Sequence, residues 1–325
     1  MLAIAQSQST YYYLNWIPSE RGPLVTHHGS LQKKLTDSDR EEKYYFDILN
    51  NIFSQVENGE PIYTFSLDRR NVLFSTCFAE GMSQELIDWH FTQCMDDQLK
   101  MTMDFYHYPI GPNSNTMLNI GVPKIIRESF LTNMRLLKSK LNGISVGIFS
   151  AEVGARKWMQ AHKNASYLIW KIGKMRKDEL LFINNGELTT YFCFQRKGNK
   201  GKILWQYGDS ESAQLIAQDI ADIQSMKTKK FNSAAQVYLY TSENNMNDVK
   251  SFHKMQIENL TLLNPLSALK TVNNEKLNES IKNLIPNISQ ISKGDLRKSI
   301  NLLETLSLSS NISTDEIKKY FYFLT

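Results

Sequence analysis

An Asn-Gly pair, Asn185-Gly186, sits between two apolar, β-rich runs at 179–184 and 187–196. Asn and Gly both accept the positive φ that a tight two-residue turn demands, so the pair predicts an antiparallel hairpin. Residues 166–172 (S-Y-L-I-W-K-I) are a third run of the same kind. After Gly198-Asn199-Lys200-Gly201 and a short apolar piece, the period changes over 210–226. There Leu215, Ile216, Ile220 and Ile223 recur at helical spacing. Three strands followed by a helix is the local order, and it limits the fold because the chain opens the same way.

At the start, strands are predicted over 2–5, over 10–17 with the Tyr11-Tyr12-Tyr13 triplet, and over 24–28. A helix over 37–55 follows, with acidic residues in its first turn and Phe46, Leu49, Ile52 and Phe53 on one face. Strands over 61–67 and 71–78 flank the turn Asp68-Arg69-Arg70. A Ser-capped helix is predicted over 83–97 and a polar loop over 109–115. A strand over 116–122 leads into a helix over 123–141, with Pro123 in its first turn and Asn142-Gly143 as its stop. A strand over 144–149 and a helix over 151–162 complete the first half. The second half continues with a strand over 234–241, a helix over 245–254 and a strand over 260–263. Helices over 274–284, 294–306 and 313–323 close the chain. The shared order (three strands, helix, strand, helix) implies a duplicated α/β unit: two lobes with a cleft between them.

The chain has 325 residues, enough for two domains with cores of their own. Its net charge of +4 is too small to argue for nucleic acid. The three cysteines, Cys77, Cys94 and Cys193, are far apart and form no CxxC pair, as expected of reduced, buried thiols. No apolar run reaches the roughly 18 residues of a membrane span, and residues 1–6 are too short for a signal-peptide core. A cytoplasmic protein is expected.

The element order and three local strings resemble the actin-like superfamily. More narrowly, the chain resembles PilM-type proteins of type IV pilus assembly and the cytoplasmic domain of the secretion protein GspL. The strings are L-A-I-A-Q-S-Q-S-T-Y-Y-Y-L at the opening, M-L-N-I-G-V-P-K-I-I-R-E-S-F-L in the insertion, and N-L-T-L-L-N-P-L at 259–266. The resemblance implies an α/β, actin-like fold of two duplicated ribonuclease H-like lobes with a small inserted strand-helix-strand subdomain. It implies a first lobe at 1–82, the insertion at 83–150, and a second lobe with C-terminal helices at 151–325.

Active members of that superfamily carry Asp-x-Gly in both phosphate hairpins and a glycine pair after the adenosine strand. This chain has Ala5-Gln6-Ser7, then Lys171-Ile172-Gly173, and Tyr240-Thr241 running into Ser242-Glu243-Asn244. Without those carboxylates nothing holds Mg²⁺ at a terminal phosphate. The expectation is a degenerate cleft with no catalytic residue and no resident cofactor. Ser7, Ser9, Gly173 and Lys174 mark where ATP would lie if it bound. Lys171, Lys174, Arg176 and Lys177 read either as a residual phosphate site or as a solvated hairpin tip.

Other residues offer little chemistry. His27 and His28 are strand neighbours pointing to opposite faces, and His90, His107, His162 and His253 lack partners at ligand spacing, so no metal is expected. No Gly-x-Ser-x-Gly elbow surrounds Ser7 or Ser9, or any other serine. Residues 198–201 read as an exposed hairpin, not a phosphate loop. The family resemblance implies a non-catalytic scaffold of a pilus or secretion machine at the inner face of the cytoplasmic membrane. Its partner would be the cytoplasmic tail of a bitopic inner-membrane protein, held in a groove whose candidate walls are Phe78, Ile120, Val122, Ile125 and Ile126. Burial of these side chains in the insertion's own core is the competing reading, and self-association is left open. The alternative class is an ATP-binding actin-fold protein, either a nucleotide-dependent switch or a sugar-kinase-like phosphotransferase.

Overall fold

A computed structural model describes residues 1–17, 24–33, 45–56, 61–79, 81–83, 85–87, 89, 102–111, 116–198, 200–242, 246–263 and 270–271. Strands β1 (Leu2–Ser7), β2 (Thr10–Ile17) and β3 (Leu24–Gln32) form an antiparallel meander. The first turn is tight, with Ser7 opposite Thr10 and Gln8 at φ 56°. Helix α1 (Phe46–Gln55) buries Ile48, Leu49 and Ile52, and it returns the chain to β4 (Ile62–Leu67), parallel to β1.

A separate three-stranded sheet begins with β5 (Leu73–Phe78), ahead of the expected start of the insertion at 83. β5 pairs with β7 (Thr116–Pro123), which also pairs with β6 (Met103–Ile110), giving the antiparallel order β5-β7-β6. Residues 117–122 in the central strand are buried throughout, since sheet neighbours flank them on both sides. Helix α2 (Lys124–Leu136) and β8 (Lys140–Val146) follow, so strand, helix and strand come in the expected order. β8, expected within the insertion, pairs in parallel with β4 and so belongs to the first sheet, of order β3-β2-β1-β4-β8 over these strands.

Helix α3 (Gly147–Trp158) carries the chain across to the second sheet. There β9 (Ser166–Lys171), β10 (Lys177–Asn184), β11 (Glu187–Lys197) and β12 (Lys200–Gly208) form an antiparallel meander. Helix α4 (Ser210–Gln224), capped by the Asp209 carboxylate on Ser212 N–H at 2.9 Å, leads to β13 (Gln236–Tyr240). Helix α5 (Met246–Lys254) leads to β14 (Leu260–Leu262). The sheet order is β12-β11-β10-β9-β13-β14, with β13 parallel to both of its neighbours. The hairpin at Asn185-Gly186 forms as predicted, with φ 49° and 83°.

Period-2 alternation divides the second sheet between two cores. Leu168, Trp170, Leu180, Phe182, Phe192 and Phe194 pack outward with Ile216, Ile220, Val249 and Phe252. Tyr167, Ile169, Leu181, Ile183 and Tyr191 pack inward with the first lobe, beside Ile4, Phe65, Leu118, Phe130 and Ile148. The inward face is therefore shared by both lobes.

Several elements depart from the sequence expectation. The helix over 123–141 ends at Leu136, and Asn142-Gly143 lies inside β8, because Lys138 turns left-handed at φ 46° and Lys140 N–H bonds Pro61 O at 2.8 Å. Sheet pairing overrides the helical composition there. The next helix starts at Gly147, not 151. The short piece after Gly201 is a full strand, β12, and β6 was not anticipated. Of the helix over 83–97, Ser83 caps the start by accepting from Leu86 N–H at 3.3 Å, residues 85–87 and 89 are helical, and the remainder lies outside the described residues. The first turn of the helix over 37–55, Glu243 and Asn244, residues 264–266 of the N-L-T-L-L-N-P-L string, and the helices over 274–284, 294–306 and 313–323 also lie outside them.

Candidate functional site

The first hairpin tip meets the second lobe directly. Ser7, 6% exposed, donates from Oγ to Ser242 Oγ at 3.3 Å, joining the end of β1 to the segment after β13. Both segments were expected from the resemblance to border a degenerate nucleotide cleft, and their hydroxyls touch. Gln6 beneath is buried and fully used. Its Nε2 donates to Tyr11 OH at 3.1 Å, and its Oε1 accepts from Asn71 Nδ2 at 2.8 Å and Tyr45 OH at 3.4 Å. Ser9 lies half-buried at the turn, its carbonyl accepting from Lys33 N–H.

Asp68, read from sequence as part of a charged turn, holds that tip through Gln8. It accepts from Gln8 N–H at 2.7 Å, from Arg70 N–H at 3.0 Å and from the Arg70 guanidinium at 2.9 and 3.1 Å. Burial would raise its pKa, but the hydrogen bonds from Arg70 and Gln8 outweigh that and hold it below the usual carboxylate value. A carboxyl depressed in the folded state stabilises above its unfolded pKa and loses that contribution as pH falls through the folded value. Asp68→Asn should therefore cost about 1–3 kcal/mol at neutral pH. The gap to wild type should close on acidification below about pH 4. Urea melts at neutral and acid pH check this, and a pH-independent gap would refute it.

The second hairpin tip, between β9 and β10, is shaped by its own acid. A Cβ at Gly173 would lie 1.9 Å from Lys177 O, so only glycine fits. Gly173 N–H donates to Asp178 Oδ1 at 3.2 Å. Asp178 turns away from the cleft into the outward core, where Trp170 Nε1 donates at 2.9 Å and Arg196 Nε at 2.6 Å. Burial pushes the Asp178 carboxyl up, while Arg196 and the Trp170 and Gly173 donors oppose the shift.

The basic cluster divides. Lys171, 8% exposed, faces the cleft and bonds Glu179 at 3.1 Å, and Tyr191 OH donates to the same carboxylate at 2.8 Å. Burial and that carboxylate push the Tyr191 hydroxyl well above its usual pKa, against the pull of Arg69. Burial likewise pushes the neighbouring Cys193 thiol up to about 12, which keeps it protonated. Lys174, Arg176 and Lys177 are exposed at the tip. Of the four expected cofactor residues, Ser7, Ser9 and Gly173 line the two tips at the cleft, and Lys174 points to solvent.

Sequence reading missed the array that spans the cleft. The Arg69 guanidinium lies 3.9 Å from the centroid of the Trp205 ring and 5.5 Å from that of Phe74. Phe74, Phe149, Tyr191, Trp205 and Tyr207 form one aromatic cluster, with ring centroids 4.9 Å apart for Tyr191–Trp205 and 5.4 Å for Phe74–Tyr191. Tyr207 OH donates to Phe74 O at 3.2 Å, and Gly111 N–H to Leu188 O at 2.9 Å. At Gly208, φ 83°, a Cβ would meet Ile110 at 2.7 Å, so the end of β12 lies against the small sheet. The signal was the aromatic alternation of Trp205 and Tyr207 in the run left unassigned.

The expected groove residues separate. Ile120 and Val122 are 6% and 7% exposed and belong to the inward core, so they form no surface. Ile126 is half-buried against the same core. Phe78 and Ile125 are 61% and 40% exposed. They lie at opposite ends of β7, because Phe78 pairs with Thr116 and Ile125 follows Pro123. Tyr106 and Tyr108, about half exposed, pair with Ile120 and Leu118 from the edge strand β6. Like Phe78, they stand on the sheet face that carries those core residues. His107 Nδ1 hydrogen-bonds Asn119 Oδ1, and Cys77 Sγ approaches the same atom at 3.8 Å. Among the described residues no group of three or more His, Cys, Asp or Glu could hold a metal, and no helix is long and apolar enough to cross a membrane.

No protein-family model matches the chain, and no curated protein matches it by sequence. Solved structures do. A chain of a PilM-PilN type IV pilus biogenesis complex aligns over 87% of this chain and 94% of its own, at 11% identity and a TM-score of 0.53. The cytoplasmic domain of EpsL, an inner-membrane component of the Vibrio cholerae type II secretion system, covers 80% and 84%, at 10% identity and a TM-score of 0.41. A Bacteroides thetaiotaomicron protein with an actin-like ATPase fold and unknown function covers 81% and 90%, at 11% identity and a TM-score of 0.38. The likeness to the PilM-PilN chain, with two duplicated sheets joined through α3, establishes an α/β, actin-like fold for this protein.

Proposed function

We propose that the protein is a non-catalytic scaffold at the inner face of the cytoplasmic membrane, in a pilus, secretion or related assembly machine, and that it holds the cytoplasmic tail of a membrane protein. The observation that carries the non-catalytic part is the Ser7–Ser242 hydrogen bond. Where a nucleotide and its metal would lie, the two lobes touch through hydroxyls. The nearby carboxylates Asp68 and Glu179 are already paired, to Arg70 and to Lys171. The tail-binding part rests on the fold shared with a PilM-PilN complex. The surface that suits an extended tail is the rim of the small sheet, where Phe78, Tyr106 and Tyr108 remain exposed beyond the part of that face which the shared core covers and offer apolar contacts. Ile125 lies off that face and is not needed.

Immobilised synthetic peptides provide the test, each reproducing a cytoplasmic tail of a bitopic membrane protein encoded beside this gene. One of them should bind the full chain, and Tyr106→Ala/Tyr108→Ala should weaken that binding by about tenfold or more. Mg-ATP should leave the melting midpoint unchanged, because a ligand that binds only the native state would raise it. Absence of any tail binding together with a raised midpoint in Mg-ATP would replace this reading with the nucleotide-binding one.

A further inference from the structure

Met175 and Met226 are the two most exposed large apolar side chains described, at 75% and 81%. Each sits in a left-handed backbone conformation and each is followed by cations. The two tips differ in how their charges are used. At the second tip, Lys227 is tied to Asp222 at 3.2 Å, while Lys229 and Lys230 are exposed. At the first, Lys174, Arg176 and Lys177 are exposed, and none forms an ion pair with a described residue. Two successive residues there, Met175 at φ 56° and Arg176 at φ 58°, are left-handed without being glycine. That conformation is uncommon for such side chains and persists only where the surroundings impose it. Here Gly173 packed on Lys177 O, with its N–H held by the buried Asp178, fixes both ends of the turn. The result is a turn fixed at both ends that presents a thioether chain to solvent beside three exposed cations, none of them ion-paired to a described residue.

We propose that this Lys174–Lys177 tip contacts an anionic lipid bilayer directly. The chemistry is complementary on both counts. Cations near a membrane surface are attracted by acidic headgroups, and an apolar side chain among them gains by entering the headgroup–acyl boundary. An acidic peptide would satisfy the cations but leave Met175 in water, so the bilayer is the better match. This contact goes beyond tail binding and does not depend on it, since it needs no protein in the membrane.

The test is co-sedimentation of the full chain with vesicles of phosphatidylcholine alone or of phosphatidylcholine with phosphatidylglycerol. Binding should appear only with phosphatidylglycerol and should fall as salt rises. Lys174→Glu/Arg176→Glu/Lys177→Glu should weaken it on the order of a hundredfold. Met175→Asn, which tolerates the left-handed backbone, should weaken it by about fivefold or more. Lys227→Glu/Lys229→Glu/Lys230→Glu should leave it unchanged. All these side chains are exposed, so unchanged melting midpoints will confirm that the variants fold. Three outcomes overturn the proposal: no sedimentation with phosphatidylglycerol, an equal loss from the second tip, or capture of an acidic peptide by the first tip without any vesicle binding. Failure here would leave the peptide-capture result, and so the scaffold reading, untouched.

Discussion

Asp178→Ala is expected to lower folding stability by about 3–5 kcal/mol, one of the two largest effects foreseen for a single substitution in this chain. The Asp178 side chain is fully buried and Arg196 is 6% exposed. Removing the carboxylate orphans three donors at once: the Arg196 guanidinium, Trp170 Nε1 and Gly173 N–H. Asp248, which accepts from Arg196 Nη2 at 2.9 Å, remains and limits the loss. Arg196 also lies 5.3 Å from the Phe252 ring centroid, so the guanidinium cannot swing to water without leaving a core contact. Urea unfolding of Asp178→Ala and Asp178→Asn tests this. Asn keeps the shape and accepts from some of the donors, so it should lose less. A cost below about 1 kcal/mol for the alanine variant would mean that water reaches the site and replaces the carboxylate.

The division of labour at this pair explains what the sequence could and could not convey. Strand existence was legible, because alternation and the Asn185-Gly186 turn are local signals. The meander of β9, β10 and β11 and the opening meander both formed as expected. Charge pairing was not legible. Lys171, Lys174, Arg176 and Lys177 look like one basic cluster in the sequence, yet Lys171 is buried against Glu179 while the others meet solvent. The reason is the pleat: Lys171 and Glu179 are cross-strand partners on the cleft face, and Asp178, one residue earlier, faces the opposite way. Asp68 was hidden for a related reason. Its partner Gln8 N–H is distant in sequence, brought near only by the parallel pairing of β1 with β4. Strand β6 escaped because Tyr106 and Tyr108 stay half exposed on the face it shares with Ile120 and Leu118, and Pro109 lies near its end, so it lacks a clean apolar-in, polar-out alternation. For the candidate groove, the sequence marked apolar residues but not which of them the shared core would consume. Ile120 and Val122 went to that core.

Trp205→Ala should cost about 3 kcal/mol and, unlike the Asp178 change, should act on the relation between the lobes. Trp205 touches Tyr191 and Tyr207 within its own lobe and Arg69 from the other. Arg69→Ala removes the cation alone and should cost about 1–2 kcal/mol. If the stacking couples the two, the double variant will cost less than the sum of the singles by about 1 kcal/mol, while distant pairs add. Stability alone would not separate a latch from ordinary packing, so a second readout is needed. Hydrogen exchange at Gln8 and at Ser242, which lie at the cleft and away from the Trp205 ring, should quicken in either single variant if Arg69 helps keep the lobes shut. Unchanged protection at both amides would mean that α3 and the shared inward core hold the lobes by themselves. In that event Arg69 would only pack against the Trp205 ring, and the closure of the lobes would owe nothing to it.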